Sequence, residues 1–196
     1  MTNDTQSHIF EAAKQIFALK GYDGLSMRTL AKSANISLSV IYHYYSDKDV
    51  LLKDIFDTTN TKLGRMRHLM PAATSMTQAL DQQLNFQLDH MEDVVFVMKY
   101  YFHFRDDFKK NATGFVPVKT SLHIEEILEL GRSTNELRDD IDIVREAKVI
   151  THAINGYLLE IYPAIPQVRE RARVIKDLKD FILRSITADR PVVPMR

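Results

Sequence analysis

The chain contains no cysteine. That excludes disulfides, thiolate metal sites and thiol redox chemistry together. It also lacks net charge, because 26 basic residues balance 26 acidic ones. A general electrostatic pull toward nucleic acid or a membrane surface is therefore absent, and any such partner has to be recognised by a specific motif. Nowhere do eighteen apolar residues run together, and the start, MTNDTQSHIF, has neither a basic stretch nor an apolar core. Neither a membrane span nor a secretion signal is expected, which makes the cytoplasm the expected location. A glycine-rich phosphate loop and a G-x-S-x-G elbow are missing too, and scattered Ser, His and Asp carry no catalytic geometry, so the chain is not expected to be an enzyme. Of the seven histidines, His90, His103, His123 and His152 fall on different helical patterns without HExxH spacing. No metal and no cofactor are expected.

What remains is helical patterning throughout. At 196 residues and 45% hydrophobic content the chain is long enough for one large or two small cores. Ile9, Ala13, Ile16, Phe17 and Leu19 trace one face of a helix from His8 to Lys20, with Gly21 placed to end it in a left-handed cap. Tyr22, in the compact turn GYDGLS, is expected to pack on a small core. Met27, Leu30, Ala31 and Ala34 then repeat at helical intervals behind Ser26, a cap for the first turn. Asn35 tolerates the left-handed exit, and Ser37 caps a second short helix. Val40, Ile41 and Tyr44 give that helix its apolar stripe, while Leu38, Ser39, Tyr42 and His43 leave a face the core need not bury. Ser46 and Asp49 fit a capping box for a longer helix running to about Leu69, before Pro71.

Two helices joined by a three- to four-residue turn, the second short enough for a major groove, is an arrangement that DNA readers use. The run LAKSANISLSVIYHYYSDKDVLL resembles the DNA-binding segment of the tetracycline repressor (TetR) family of bacterial regulators, ungapped from Ile9 to about Phe56. The family's turn glycine is Asn35 here, and the glycine usual at the start of its recognition helix is Ser39. Charge is balanced in this region: Lys14, Lys20, Arg28, Lys32 and Lys48 offset Asp4, Glu11, Asp23, Asp47 and Asp49, so nonspecific affinity for DNA should be modest. On this reading Leu38, Ser39, Tyr42 and His43 face a groove, Arg28, Tyr42, Tyr44 and Lys48 touch phosphates, and Tyr45 packs inward.

Further helices follow Pro71. Met76, Leu80, Leu84, Leu88 and Met91 mark a fifth. In the sixth, Val94 to Phe108, polar residues are confined mainly to Lys99, His103, Asp106 and Lys110, opposite Val97, Tyr101, Phe104 and Phe108; so apolar a helix is expected in the middle of a second domain. Asn111 to Gly114 breaks it. Pro117 suits the start of a seventh helix running to Gly131. NELRDDID, Asn135 to Asp142, resembles the polar connector before the family's eighth helix. Ile143 to Ile161 forms that helix, and Pro163 and Pro166 separate it from a ninth. Both carry apolar residues on more than one side, which suits a four-helix interface with a second copy.

The expected fold is all-α with about nine helices: a helix-turn-helix DNA-binding domain over residues 1–50, a helical ligand-binding and dimerisation domain over 51–190 entered by a connecting helix, and a tail at 191–196. The resemblance implies a homodimer through the two C-terminal helices, a palindromic operator in double-stranded DNA, and a small-molecule effector among the later helices. Tyr101, Phe104, His123, His152 and Asn155 are the candidate ligand-binding residues, for a mainly apolar or aromatic compound. The alternative is a TetR-like protein that binds DNA constitutively or under control of a protein partner.

Overall fold

The computed structural model describes residues 2–106, 120–164 and 168–187. Among them the chain is all-helical, as the patterning predicts. The helices are α1 (Thr2–Gly24), α2 (Met27–Ser33), α3 (Leu38–Tyr44), α4 (Lys48–His68), α5 (Met76–Asp89), α6 (Met91–His103), α7 (Thr120–Ser133), α8 (Ile143–Ile161) and α9 (Val168–Ile186). Pairing of Leu137 with Thr187 is an isolated bridge between chain segments. Phe108, Lys110, the break at Asn111 to Gly114, the start at Pro117, Pro166 and the tail 191–196 lie outside the described residues. No helix among the described residues is long and apolar enough to cross a membrane.

Contacts divide the chain into two compact units, residues 1–68 with 90–117, and residues 69–89 with 118–196. The functional boundary expected at residue 50 falls within the first turn of α4.

In the first unit α1 packs on α2, α4 and α6, α4 packs on α6, and α2 packs on α3. Ile9, Ala13 and Phe17 recur every four residues on one stripe of α1, and with Leu30, Ile41, Leu51, Ile55, Phe56, Val95 and Phe96 they are closed to water. Each fully buried side chain of this size contributes about 1.5–3 kcal/mol. Phe17 meets Phe96 at 5.1 Å between ring centroids, and Phe56 stacks on Tyr100 at 4.3 Å.

Four local expectations need correction in this unit. First, α1 begins well before His8, and a short further helical stretch follows the kink at Gly21. Its polar opening turns have tertiary partners that hydrophobic spacing cannot reveal: Gln6 Nε2 donates to the Tyr45 hydroxyl at 3.2 Å, and His8 Nε2 lies 3.0 Å from the Ala34 carbonyl. Second, Gly21 does take a positive φ of 71°, but its ψ of −168° makes a kink rather than a left-handed cap. That combination is open essentially to glycine alone. Third, Met91 opens α6 instead of closing α5, the chain turning at His90. Fourth, α6 packs on α1 and α4 rather than in the middle of the other unit, burying Val95, Phe96 and Tyr100 while Tyr101 and Phe102 are exposed.

The second unit comprises α5, α7, α8 and α9, with α7 on α8 and α5 on both α7 and α9. Gly131 was expected to end α7, yet the helix runs on to Ser133 and Asn135, at φ 59°, makes the reversal. Gly131 serves packing instead: a Cβ built there would lie 2.3 Å from Met76 Sδ. The polar connector that follows binds several elements together. Glu136 accepts hydrogen bonds from the Met76 amide at 2.8 Å, the Thr77 amide at 3.3 Å and the Thr77 hydroxyl at 3.1 Å, and so caps α5 from sixty residues away. Arg138 donates its amide to the Ile186 carbonyl at 3.0 Å, and Asp142 caps α8 through the Arg145 amide at 3.1 Å.

Candidate nucleic-acid interface

Local chemistry sets the two short helices. The Ser26 hydroxyl accepts from the Thr29 amide at 3.1 Å, and the Thr29 hydroxyl accepts from the Ser26 amide at 2.9 Å, which makes a reciprocal cap on α2. Asn35 adopts φ 52° at the turn, and the Ser37 hydroxyl accepts from the Val40 amide at 3.3 Å to open α3. Each of these three positions behaves as its side chain predicts.

The cap on α4 does not. Asp47, rather than Ser46, accepts from the amides of Asp49 and Val50, each at 2.9 Å, while Ser46 donates its hydroxyl to the other Asp47 oxygen at 3.0 Å. Those backbone donors hold the Asp47 carboxyl below its usual range. Asp49, expected in the capping box, accepts instead from the Tyr22 hydroxyl at 2.7 Å. That bond and the burial around it push the Tyr22 phenol up to about 12.

Orientation of α3 follows from two anchors. Ile41 is closed to water, and Tyr45, just past the helix end, is buried with its hydroxyl donating to Asp54 at 2.8 Å on α4. Burial pushes the Tyr45 phenol up. The opposite face is open: Ser39, Tyr42 and His43 are exposed, and Leu38 is half-buried. Ser39 lies 2.9 Å from the Ser37 hydroxyl, and His43 packs edge-on against Tyr44 at 5.2 Å. Arg28 on α2 is exposed, whereas Tyr44 and Lys48 are half-buried. Lys48 lies 3.5 Å above the Tyr22 ring and donates to the Tyr22 carbonyl at 3.2 Å. Its ammonium is thus steered by the turn before α2. Tyr22 in turn stacks on His103 at 4.1 Å and meets Phe104 edge-on at 5.7 Å, so it packs on the first unit's core margin as expected.

Below this face lies a charge cluster that sequence patterning does not reveal. Lys14, on the apolar side of α1, reaches Asp93 at 2.7 Å and Glu11 at 2.8 Å, and Lys62 reaches the other Asp93 oxygen at 2.9 Å. An open cleft of about 400 Å³ is lined by Lys14, Tyr45, Asp54, Thr59, Lys62 and Asp93, among others. None of the candidate ligand residues lines it. Tyr101 and Phe104 belong to the first unit, and His123, His152 and Asn155 to the second. Within the second unit His123 pairs with Glu126 at 3.1 Å, His152 is exposed and Asn155 is half-buried. No group of three His, Asp or Glu side chains suited to a metal occurs among the described residues.

The family model for bacterial regulatory proteins of the tetR family matches residues 9–55, the segment that holds both capped helices and their bracing helix. The likeness to that family is thus shown for residues 9–55. The regulator AcrR of Shigella flexneri is 27% identical over 63 residues, 32% of this chain and 29% of its own. A transcriptional repressor of Mycobacterium tuberculosis is 30% identical over 74 residues, 38% and 39% of the two chains. The matched stretch thus spans less than half the length of those relatives. Its fold is shared more widely: the ketosteroid transcriptional regulator KstR2 of Mycobacterium tuberculosis superposes with a TM-score of 0.72 at 17% identity, over 94% of this chain and 95% of that one.

Proposed function

We propose that the chain is a DNA-binding transcriptional regulator of repressor type, acting as a homodimer on a palindromic operator and released by a small, mainly apolar ligand. The observation that carries the DNA reading is the two-sided α3, fixed by Ile41 and Tyr45 and presenting Ser39, Tyr42 and His43 outward. A seven-residue helix so held fits a major groove, with Leu38, Ser39, Tyr42 and His43 toward base edges and Arg28, Tyr44 and Lys48 toward phosphates. Dimerisation is supported by apolar side chains that the single chain leaves in water: Val144 and Val149 on α8 and Phe181 on α9, each more than half exposed. In such a dimer the two α3 helices would read half-sites about 34–36 Å apart.

The ligand reading places the effector among the helices after α4, with His123, His152 and Asn155 as polar points in the second unit. Release is a matter of linkage: a ligand lowers operator affinity only by as much as it prefers the dimer shape that does not fit DNA. Selection of bound duplexes from a random pool tests the first half of the proposal, and a ligand screen against the selected complex tests the second. Enrichment of an inverted repeat is expected. A pool that returns no shared sequence refutes specific recognition, and a ligand that binds tightly without altering operator affinity refutes the coupling.

A further inference from the structure

Among the described residues, the second unit buries three polar side chains with unused hydrogen-bonding capacity. Gln83 is 0% exposed and neither Nε2 nor Oε1 finds a partner; Gln87, 2% exposed, leaves Oε1 unpaired; and Thr151, 7% exposed, leaves Oγ1 unpaired. Buried polar groups are nearly always hydrogen-bonded, and each orphan carries the full cost of leaving water.

Their placement is central rather than marginal. Gln83 and Gln87, one helical turn apart on α5, lie in the middle of its buried arc, between Ala79 and Phe86 on one side and Leu80, Leu84 and Leu88 on the other. Thr151 lies on the buried stripe of α8 with Ala147, Ile150 and Ile154. Both helices are held by α7. Surface polarity that happens to be covered would fall at the rim of such an arc.

We propose that Gln83 and Gln87 form the polar end of a ligand site in the second unit, and that it takes a neutral carboxamide or lactam head on an apolar body. The proposal rests on the ligand-responsive reading and gives its effector a chemistry. The head follows from the orphan atoms: two carbonyl oxygens need a donor, and one amide nitrogen needs an acceptor beside it. Neutrality follows from the surroundings. Among the described residues the buried charged ones, Lys14 and Asp93, belong to the other unit, so a carboxylate or ammonium head would enter the described part of the second unit's buried layer without a buried counter-charge. The apolar body follows from the side chains that surround the glutamines.

Thermal melts of the full chain and of Gln83→Met and Gln87→Met, each with and without hexanamide, hexan-2-one and hexanoate, test the assignment. Methionine keeps the volume and removes the orphans, so both variants should melt about 2–4 °C higher without any probe. Hexanamide should raise the melting temperature of the unaltered chain, while the ketone and the carboxylate raise it far less, and Gln83→Met should weaken hexanamide binding at least tenfold. A fall in melting temperature for both variants would mean that ordered water or protein groups satisfy these amides, and the proposal fails. It also fails if hexanamide does not bind the unaltered chain, or binds it no better than Gln83→Met. Binding in the predicted pattern that leaves operator affinity unchanged keeps the site and refutes the regulatory reading instead.

Discussion

Removing Lys14 should unfold the first unit far more easily, and removing Asp93 with it should largely restore stability. Lys14 and Asp93 are both buried, 2.7 Å apart, and each is the other's principal counter-charge inside the core shared by α1 and α6. Truncating one partner of such a pair leaves a charge in low dielectric and costs about 3–5 kcal/mol, whereas replacing both by apolar side chains of similar volume is typically neutral or stabilising by about 1–4 kcal/mol. Lys14→Met should therefore lower stability by about 3–5 kcal/mol, as should Asp93→Leu, and the double variant should come within about 1 kcal/mol of the unaltered chain. Lys62 stays 2.9 Å from Asp93 in Lys14→Met, and Glu11 stays 2.8 Å from Lys14 in Asp93→Leu, so each single loss should fall toward the lower end of that range. Urea unfolding followed by circular dichroism measures all four corners of the cycle. Additive losses would refute the account of Lys14 and Asp93 as one unit.

The same pair fixes a pH window. Burial alone would raise the Asp93 carboxyl, but the ammoniums of Lys14 and Lys62 hold it below 3.8; burial alone would lower Lys14, but Asp93 and Glu11 raise it above 10.5. A depressed acid stabilises above its unfolded value and loses that contribution as pH falls through its folded value. A raised base stabilises below its unfolded value and loses that contribution as pH rises through its folded one. The pair's contribution should therefore be flat between about pH 4 and 10 and fall off on both sides.

Further outcomes follow from other contacts. Titration of phenolate absorbance should show one tyrosine ionising near 12, and Asp49→Asn should bring that transition down, since the Tyr22–Asp49 bond is the largest cause of the shift; stability from that bond is present below pH 10 and lost as pH rises through 12. Gly131→Ala should cost about 1–3 kcal/mol by thermal melt, because its Cβ would meet Met76 Sδ at 2.3 Å in a closed site. Gly21→Ala should cost a similar amount, about 1–3 kcal/mol, for a different reason: no atom lies near the added methyl, and the penalty is backbone strain alone. Phe181→Glu should shift the chain from dimer to monomer in sedimentation equilibrium with its helix content unchanged; a dimer that survives would place the interface elsewhere.

How much of this was legible in the sequence depends on the range of each interaction. Ser26, Asn35 and Ser37 act on backbone groups within three residues, so side-chain chemistry alone located them. Asp47 caps α4 in place of Ser46, and Asp49, the expected partner in the box, is held by Tyr22 from 27 residues away. Likewise Gly131 looks like a helix stop until Met76 is seen packing against it. The buried face of α6 is hidden from the sequence for another reason: a helix apolar nearly all round gives periodicity little contrast, and the packing of α1 and α4 decides that Tyr100 is covered and Tyr101 is not. Lys14 counted as one more surface charge because Asp93 lies 79 residues on. The open face of α3 is legible as a group, since α3 is short and its two anchors leave Ser39, Tyr42 and His43 exposed.

Binding of fluorescently labelled duplexes selected from a random pool, measured against salt for the unaltered chain and for Tyr42→Ala, His43→Ala and Lys48→Ala, bears most directly on the whole account. An inverted repeat bound by the dimer is expected, with selectivity lost when Tyr42 or His43 is truncated and a uniform weakening with a shallower salt slope for Lys48→Ala. Retention of both affinity and selectivity by the Tyr42 and His43 variants would contradict the claim that α3 reads DNA.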